Sequence, residues 1–426
     1  MKNNWKNAII VSLSNNLYEI NELASTLGYT VVKEFIQSRK KPDVNFFIGS
    51  GKLDIIQEFI EDYPEEIKLL IVNAELKPSQ WFSLEKKLHI DVFDRIRLIL
   101  AIFEERAERK EARLQVRLAQ LQYERPFVKE LIHRARAGEH PGLMAGGEYQ
   151  VDDYYEMIKR QMKKLREDLE KIRNDRKIHR QTRYKSGFYL VSLAGYTNAG
   201  KSSLLNLLSA DKVKVEGKLF STLSTTTRRI KNRPQGEKIP ILLTDTVGFI
   251  ENLPSWIIEA FHSTLEEIGV ADIVILVIDG SENKEIVEKK LKVSLDELQD
   301  LGVESKVIIA LNKIDLIRND NIDLLKNFLD KEGIINDKIC LPISVKERIN
   351  IEKLIKTIYK SLPHLVKMTL KLPINKDTQA FVSELYDKTG VTDINYKETI
   401  TIKIECNAKI KDKILSKCNL LKGEVF

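Results

Sequence analysis

Gly195-Tyr196-Thr197-Asn198-Ala199-Gly200-Lys201-Ser202 places two glycines five residues apart and follows the second with a lysine and a serine. That spacing suits the cradling of a phosphate chain. Glycines let the backbone curl so that successive N–H groups point at one anion, and a helix start beyond them adds positive potential. Lys201 is expected to reach the β- and γ-phosphates, and the Ser202 hydroxyl to ligate magnesium, with Ser203 beside them. The pattern carries weight when a strand precedes it and a helix follows. Here FYLVSLAG is apolar and β-prone, and SSLLNLLSA sets Leu204, Leu205, Leu207 and Leu208 on a helical stripe.

Further groups follow in the order a nucleotide switch requires. KLFSTLSTTTRRI (218–230) is a threonine-rich polar loop, with Phe220, Ser221, Thr222 and Leu223 as candidate nucleotide contacts. One hydroxyl of this loop is expected to complete the magnesium shell when a γ-phosphate is present. IPILLTDTVGF (239–249) is strand-like and ends in Asp245-Thr246-Val247-Gly248. Asp245 would hold magnesium through water, and the Gly248 N–H would meet the γ-phosphate. KVIIALNKID (306–315) closes on Asn312-Lys313-Ile314-Asp315, where a carboxylate can accept from guanine N1 and N2. Adenine, offering its amino group elsewhere, would leave that acid unsatisfied. Ser344, with Val345 and Lys346, lies where a base-capping loop is expected. The ligands implied are GTP and GDP with Mg2+, and the reaction is hydrolysis of GTP to GDP and phosphate.

Two residues refine that chemistry. Phe249 stands where fast GTPases carry a glutamine that orients the attacking water. A phenyl ring can neither position water nor move a proton, so slow intrinsic hydrolysis accelerated by a partner is expected. Asn198 has two readings. One is a turn residue; the other is a catalytic role beside Lys201, holding a K+ ion whose charge replaces an arginine finger.

Around these groups the chain reads as several segments. Residues 1–105 alternate strand-like runs (AIIVSL, TVVKEFIQ, IKLLIVNA, HIDVFDR) with helical ones, which predicts a small α/β domain with a largely parallel sheet. FFIGSGKLDIIQEFIED is expected to begin as a strand and turn helical; its Gly49-Ser50-Gly51-Lys52 suits a tight turn better than a second phosphate loop. Residues 106–185 predict a helical hairpin arm. One helix runs from Arg97 to about Gln122, Arg125-Pro126 interrupts it, and a second extends from about Val151 to Tyr184. Between them ARAGEHPGLMAGGEYQ (135–150) is loop-like, and Tyr155, Ile158, Met162, Leu165, Leu169 and Ile172 repeat at the spacing of a helix–helix seam. Residues 186–363 hold the phosphate-binding pattern. Residues 364–426, with MTLKLPI and ETITIKIEC flanking AFVSELYDK, predict a small α+β domain closed by the helix KIKDKILSKCNL.

The bulk properties agree. The 426 residues carry 43% hydrophobic and 31% charged side chains, enough for several cores in a chain that is not membrane-spanning. No apolar run approaches the ~18 residues of a membrane span. The N-terminal MKNNWKNAIIVSLS lacks the pattern of a signal peptide. Cys340, Cys406 and Cys418 lie far apart, as free thiols of a reducing compartment do. A cytoplasmic monomer is expected, with or without peripheral membrane association. The net charge of +7 is held unevenly: residues 159–185 contain twelve Lys/Arg against four Asp/Glu, so the rest of the chain sums to about −1. A basic arm of this kind suits RNA phosphates, and Tyr149, Tyr154 and Tyr155 could stack on bases or pack inside the hairpin. The six histidines are scattered; only His133 and His140, near the arm's tip, stand where phosphate could meet them.

With these residues assembled, the chain resembles the HflX family of ribosome-associated GTPases. GYTNAGKS (195–202), FSTL with TTRR (220–229), DTVGFI with the following LP (245–254) and NKID (312–315) carry the resemblance. FFIGSGKLDII (46–56) and the run from Asp94 to Tyr123 extend it. The resemblance implies an α/β fold: a Ras-like P-loop GTPase domain preceded by a small α/β domain and a helical arm, with a small α+β domain after it. It implies the large ribosomal subunit and its rRNA as partner, bound through residues 106–185, and a role in splitting or recycling stalled or idle ribosomes. By the same resemblance the magnesium ligands are Ser202 and Thr222, with Thr226 and Thr227 as alternatives, together with Asp245. Two departures stand out. The inter-helix loop reads Ala145-Gly146-Gly147-Glu148 where the family has a Gly-Pro-Gly-Glu type sequence, and Ser224-Thr225 replaces the usual Asp-Pro. A second class of reading is an RNA- or ribosome-binding module in which GTP is a structural ligand. A DNA- or membrane-directed regulator is disfavoured, because neither a DNA-reading motif nor an amphipathic anchor is present.

Overall fold

A computed structural model describes residues 6–63, 66–136, 147–185, 187–209, 226–230, 239–250, 253–335, 338–363 and 365–426. They fall into two compact units, one holding the described residues up to Lys171 with Leu253–Ala260, the other holding the rest.

The first unit opens with β1 (Lys6–Ser12), α1 (Tyr18–Thr26), β2 (Tyr29–Ile36), α2 (Ser50–Asp62), β3 (Ile67–Val72), α3 (Pro78–Leu88) and β4 (Asp91–Asp94). The sheet has the order β2-β1-β3-β4, and every pairing is parallel. Ala8–Val11 and Leu69–Val72 are buried without alternation, as strands covered on both faces must be. Three details differ from the sequence expectation. FFIG is not a strand but a turn: Asp43 Oδ1 accepts from Asn45 N (2.9 Å) and Phe46 N (3.2 Å), and Phe47 takes φ 67°. GSGK is the start of α2 rather than a separate turn: Gly49 caps the helix, and its N–H donates to Gln37 Oε1 at 2.8 Å. The helix α3, missed in the sequence, announces itself by Pro78 in its first turn and by Lys77 N donating to Gln80 Oε1 at 3.0 Å.

Buried Asp94 links the sheet to α4 (Arg95–Arg106), accepting from Arg97 N at 2.8 Å and Leu76 N at 3.0 Å. Burial pushes its carboxyl up to about 6, with those amides pulling the other way. A folded-state value above the ordinary 3.8 means that the native chain binds this proton more tightly than the unfolded chain. The stability contribution of Asp94 therefore rises as pH falls through about 6 toward 4. Relative to Asp94→Asn, wild type should gain about 2 kcal/mol between pH 7 and 4.5 in urea unfolding. Parallel pH profiles for the two chains would refute this.

The long helix-forming run is broken at a place the sequence did not mark. α4 ends at Arg106, Ala107 N bonds Glu104 O, Arg113 Nε takes Ala107 O at 3.0 Å, and α5 (Lys110–Arg136) folds back onto α4. Conversely, Pro126 does not interrupt; α5 runs through it. An interior proline costs about 3 kcal/mol, and the hairpin offsets this by packing. Leu118, Leu121, Val128 and Ile132 of α5 are buried against Ile158 and Met162 of α6 (Gly147–Lys185), with Tyr155, Leu165 and Leu169 alongside. Residues 137–146, with His140 and most of the glycine-rich stretch, lie outside the described residues, and so does the side chain of Tyr149.

The second unit is built on β5 (Tyr189–Gly195), α7 (Lys201–Leu208), β6 (Thr226–Arg229) and β7 (Ile241–Asp245). The short α8 (Ser255–Ala260) belongs to the first unit and packs on α5. The chain continues through α9 (His262–Gly269), β8 (Ile273–Asp279), α10 (Lys284–Asp300), β9 (Lys306–Asn312), α11 (Asn319–Lys331), β10 (Ile339–Pro342) and α12 (Ile351–Lys360). The six strands order as β10-β9-β8-β5-β7-β6, parallel except for β6. Tyr189, Val191, Leu193, Ile275, Val277 and Ile308 form the core beneath α7 and α12.

The C-terminal part adds β11 (Leu365–Pro373), α13 (Lys376–Lys388), β12 (Gly390–Tyr396), β13 (Thr399–Asn407), α14 (Lys411–Leu420) and β14 (Glu424–Val425). Its antiparallel sheet has the order β12-β13-β11-β14, a βαββαβ arrangement. Met368, Leu370 and Leu372 alternate inward opposite Ile400, Ile402 and Ile404. β12 and β14 were not legible: GVTDINY carries few apolar residues, and β14 spans two. Tyr189 Oη donates to Pro363 O (2.9 Å) just before this part, and Lys409 Nζ donates to Asp272 Oδ1 (3.1 Å) beside the six-stranded sheet. Among the described residues no helix is long and apolar enough to cross a membrane, and the three cysteines are free thiols.

Candidate functional site

β5 lies between β8 and β7, and its carboxyl end opens into the loop 195–200, the position where parallel α/β sheets receive ligands. The loop has the shape its glycines permit. Gly195 takes φ 133°, and a Cβ there would stand 2.1 Å from Val277 O; only glycine fits. Gly200 takes φ 99°, with Asn312 Nδ2 where its Cβ would be. Asn198 is exposed at φ 61°, as a turn residue would be. α7 starts at Lys201, so its first amides face the same loop.

Lys201 is 6% exposed, and its Nζ donates to Gly195 O (2.9 Å) and Tyr196 O (2.6 Å). Burial pushes its ammonium down to about 8, and Asp245 pulls it back up. The Ser202 hydroxyl donates to Asp245 Oδ2 at 2.6 Å, both groups buried. Thr246 is turned inward, donating to Leu193 O at 2.6 Å, and Val247 is buried beside it. The Asp-x-x-Gly segment is zipped to the phosphate loop. Phe249 N donates to Gly195 O (2.9 Å), Thr197 N donates to Phe249 O (3.0 Å), and Gly248 lies close against Lys201 and Thr197.

The base-recognition residues converge on the same end of the sheet. Asn312 Nδ2 donates to Ala199 O (2.8 Å), and Asn312 Oδ1 accepts from Val345 N (3.1 Å). This one side chain joins the phosphate loop to the 344–346 loop. Lys313, at φ 64°, pairs with Asp279 at 2.5 Å. Asp315 Oδ1 accepts from the Ser344 hydroxyl at 2.6 Å, and Ser344 Oγ in turn accepts from Glu347 N at 3.0 Å. Ser203 sits half-buried on α7, and Lys346 is exposed at the rim. Phe220, Ser221, Thr222 and Leu223 lie outside the described residues. Thr226 begins β6 opposite Asp245, and Thr227 Oγ1 is 3.0 Å from Thr244 Oγ1. Sequence reasoning missed Asp279, the carboxylate that fixes Lys313. Its signal was position, since it ends β8 as Asp245 ends β7.

Family models described as "GTP-binding GTPase N-terminal", "GTP-binding GTPase Middle Region" and "50S ribosome-binding GTPase" match residues 14–104, 106–183 and 190–313. The protein named GTPase HflX of Thermococcus kodakarensis is 43% identical over 360 residues, covering 83% of this chain and 78% of that one. Its counterpart in Methanocaldococcus jannaschii is 40% identical over 376 residues, covering 88% and 89%. A solved GTP-binding protein from Sulfolobus solfataricus in complex with GDP is 30% identical, covers 83% of this chain and 98% of that one, and superposes with a TM-score of 0.46. Identity of this degree along nearly the whole length, with the phosphate loop and the Asn-Lys-x-Asp segment brought to one sheet end, means that this chain belongs to the HflX family of GTPases, binding guanine nucleotide and hydrolysing GTP.

Proposed function

We propose that this GTPase is a ribosome-directed switch that binds the large subunit through its basic helical arm when GTP is bound, and splits or recycles stalled or idle ribosomes. The observation that carries the switch is the zipper between Phe249 and Gly195–Thr197. For the Gly248 N–H to meet a γ-phosphate, this contact has to rearrange, so nucleotide state and loop position become one equilibrium. In this reading Gly195–Ser203 cradle the phosphates, and Asp315 with Asn312, Lys313 and the loop at Ser344–Lys346 selects guanine. Phe220–Leu223 are the proposed further contacts to the nucleotide.

Magnesium fits the residues present. The Ser202 hydroxyl and the Asp245 carboxylate are hard oxygen donors already 2.6 Å apart in a buried site. Thr222 is the proposed third ligand. When bound, the ion would offset charge on the phosphate oxygens. The chain's own part is orientation: Lys201 bridges the β- and γ-phosphates, and buried Phe249 keeps bulk water away. Asn198 is proposed to hold K+, which equal turnover in potassium and sodium would disprove.

The ribosomal half of the proposal rests on the family description of residues 190–313 and on α6, where Lys159, Arg160, Lys163, Lys164 and Arg166 are exposed. We also propose folding segments at 1–105, 106–185, 186–363 and 364–426, and a monomer in the cytoplasm. Co-sedimentation with separated ribosomal subunits tests the whole. Pelleting with large subunits should be strong with a GTP analogue, weak with GDP and weak without nucleotide; pelleting indifferent to nucleotide would refute the switch.

The arm is tested by charge reversal. Of the basic residues Lys163, Lys164, Arg173 and Arg176, Arg173 pairs with Glu266 and is unsuitable. Lys163→Glu with Lys164→Glu leaves the hairpin seam intact. It should weaken large-subunit binding severalfold and lower the salt slope by about 1.5. Unchanged pelleting at every salt concentration would remove the RNA assignment.

A further inference from the structure

A cavity lies in the first unit, far along the chain from the phosphate loop. It has a volume of about 440 Å³, within the range of roughly 300–1,000 Å³ typical of ligand sites. Trp81, Phe93, Tyr123 and Phe127 line it from α3, β4 and α5, and each of these rings is only partly buried. Tyr154 of α6, 40% exposed, stands at the rim. Packing alone would be expected to seal such a concentration of aromatic surface from water.

The polar groups around it are few and placed. The Trp81 indole N–H is committed to Val92 O at 2.8 Å, which fixes the ring and leaves stacking as its contribution. The Arg97 guanidinium lies over Phe93 (4.4 Å to the centroid) and Trp81 (5.7 Å). Such a planar cation can stack on a base or meet a phosphate. Glu104 and Glu124 also line the cavity; Glu104 Oε2 accepts from Gln120 Nε2 at 2.9 Å, and Glu124 stands 3.8 Å from Arg117. Carboxylates only accept, so the matching ligand edge is one that donates.

We infer that this cavity receives one unstacked guanine base of a single-stranded RNA whose backbone follows the basic face of α6. Guanine presents adjacent N1–H and N2–H2 donors to the glutamates, and its ring suits the aromatic walls. Uracil offers a smaller ring and one donor. The strand enters past Tyr154, one helical turn or two before Lys159, Arg160 and Lys163, whose charges follow on the same helix. This inference rests on the RNA-binding reading of the arm and names what that arm reads.

The test uses the full chain with GDP saturating its guanine-nucleotide site, and fluorescein-labelled pentaribonucleotides UUGUU, UUAUU and UUUUU followed by anisotropy. UUGUU should bind about tenfold more tightly than UUUUU, since the second donor that guanine offers a carboxylate accounts for a change of that order. Tyr154→Ala, at an exposed position, and Phe127→Leu, which keeps apolar volume, should bring UUGUU down to the level of UUUUU. Glu104→Gln should reduce the preference for guanine over adenine. Lys163→Glu with Lys164→Glu should weaken all three strands alike and leave the preference. Equal, salt-dependent binding of the three strands by wild type would overturn the cavity assignment while sparing the arm. A preference for guanine untouched by Tyr154→Ala and Phe127→Leu would overturn it as well. Failure of every strand to bind at low salt would overturn both.

Discussion

Lys201→Ala is expected to lower single-turnover GTP hydrolysis by about a thousandfold, the scale associated with removing one preorganised charge from a transition state. The side chain is nearly buried, and its ammonium is held by the Gly195 and Tyr196 carbonyls. Burial has already pushed it down to about 8, so it is a poorly solvated cation for which a phosphate chain is a better partner than two carbonyls. Alanine leaves the Tyr196 carbonyl to water and the Gly195 carbonyl to the Phe249 N–H, at about 1–2 kcal/mol of stability. The variant should therefore remain folded while losing turnover, with circular dichroism as the control. Turnover within threefold of wild type would mean that Lys201 does not meet the γ-phosphate.

The second large effect concerns choice of base. Asp315→Asn should weaken GTP binding by about a hundredfold or more, because a charged acceptor that takes two donors becomes an amide that can take one. The same change should improve binding of xanthosine triphosphate, whose second carbonyl replaces the guanine amino group and can accept from the new amide. Asp315 is set for this work by the Ser344 hydroxyl at 2.6 Å. Competition calorimetry with the two triphosphates reads both halves. A variant that still prefers guanosine over xanthosine by the wild-type ratio would show that base selection lies elsewhere, with Asn312 the next residue to question.

Much of this site could be read in the sequence because each part is local. The phosphate loop needs two glycines whose conformations are forced by close neighbours, Val277 O for Gly195 and Asn312 Nδ2 for Gly200. Local constraints of this kind leave a spacing. The Asn-Lys-x-Asp segment is likewise contiguous. Long-range constraints leave none: Asp279 binds Lys313 from another strand, and Asn312 reaches back to Ala199 across more than a hundred residues. The fold shows the same division. Buried parallel strands such as IKLLIV and IVILVID are apolar apart from Lys68 and the terminal Asp279, and were recognisable. The break at residues 107–109 was not, because helix propensity is uniform across it and only the docking of α5 on α4 selects it. Pro126 misled in the opposite sense, a strong local signal overruled by the hairpin's packing. β12 carries too few apolar residues to declare itself, and its pairing with β13 makes it a strand.

Phe249 gives the account its sharpest consequence. A buried phenyl ring hydrogen-bonded through its backbone to the phosphate loop can neither orient water nor leave its place without rearranging that loop. The proposed switch therefore expects a partner to complete the catalytic geometry. Multiple-turnover GTP hydrolysis should be measured on the purified protein alone and with isolated large ribosomal subunits. Slow turnover alone and stimulation of at least about tenfold by the subunits are expected, given that supplied groups are worth far more than this in related chemistry. Equal rates with and without them would contradict it.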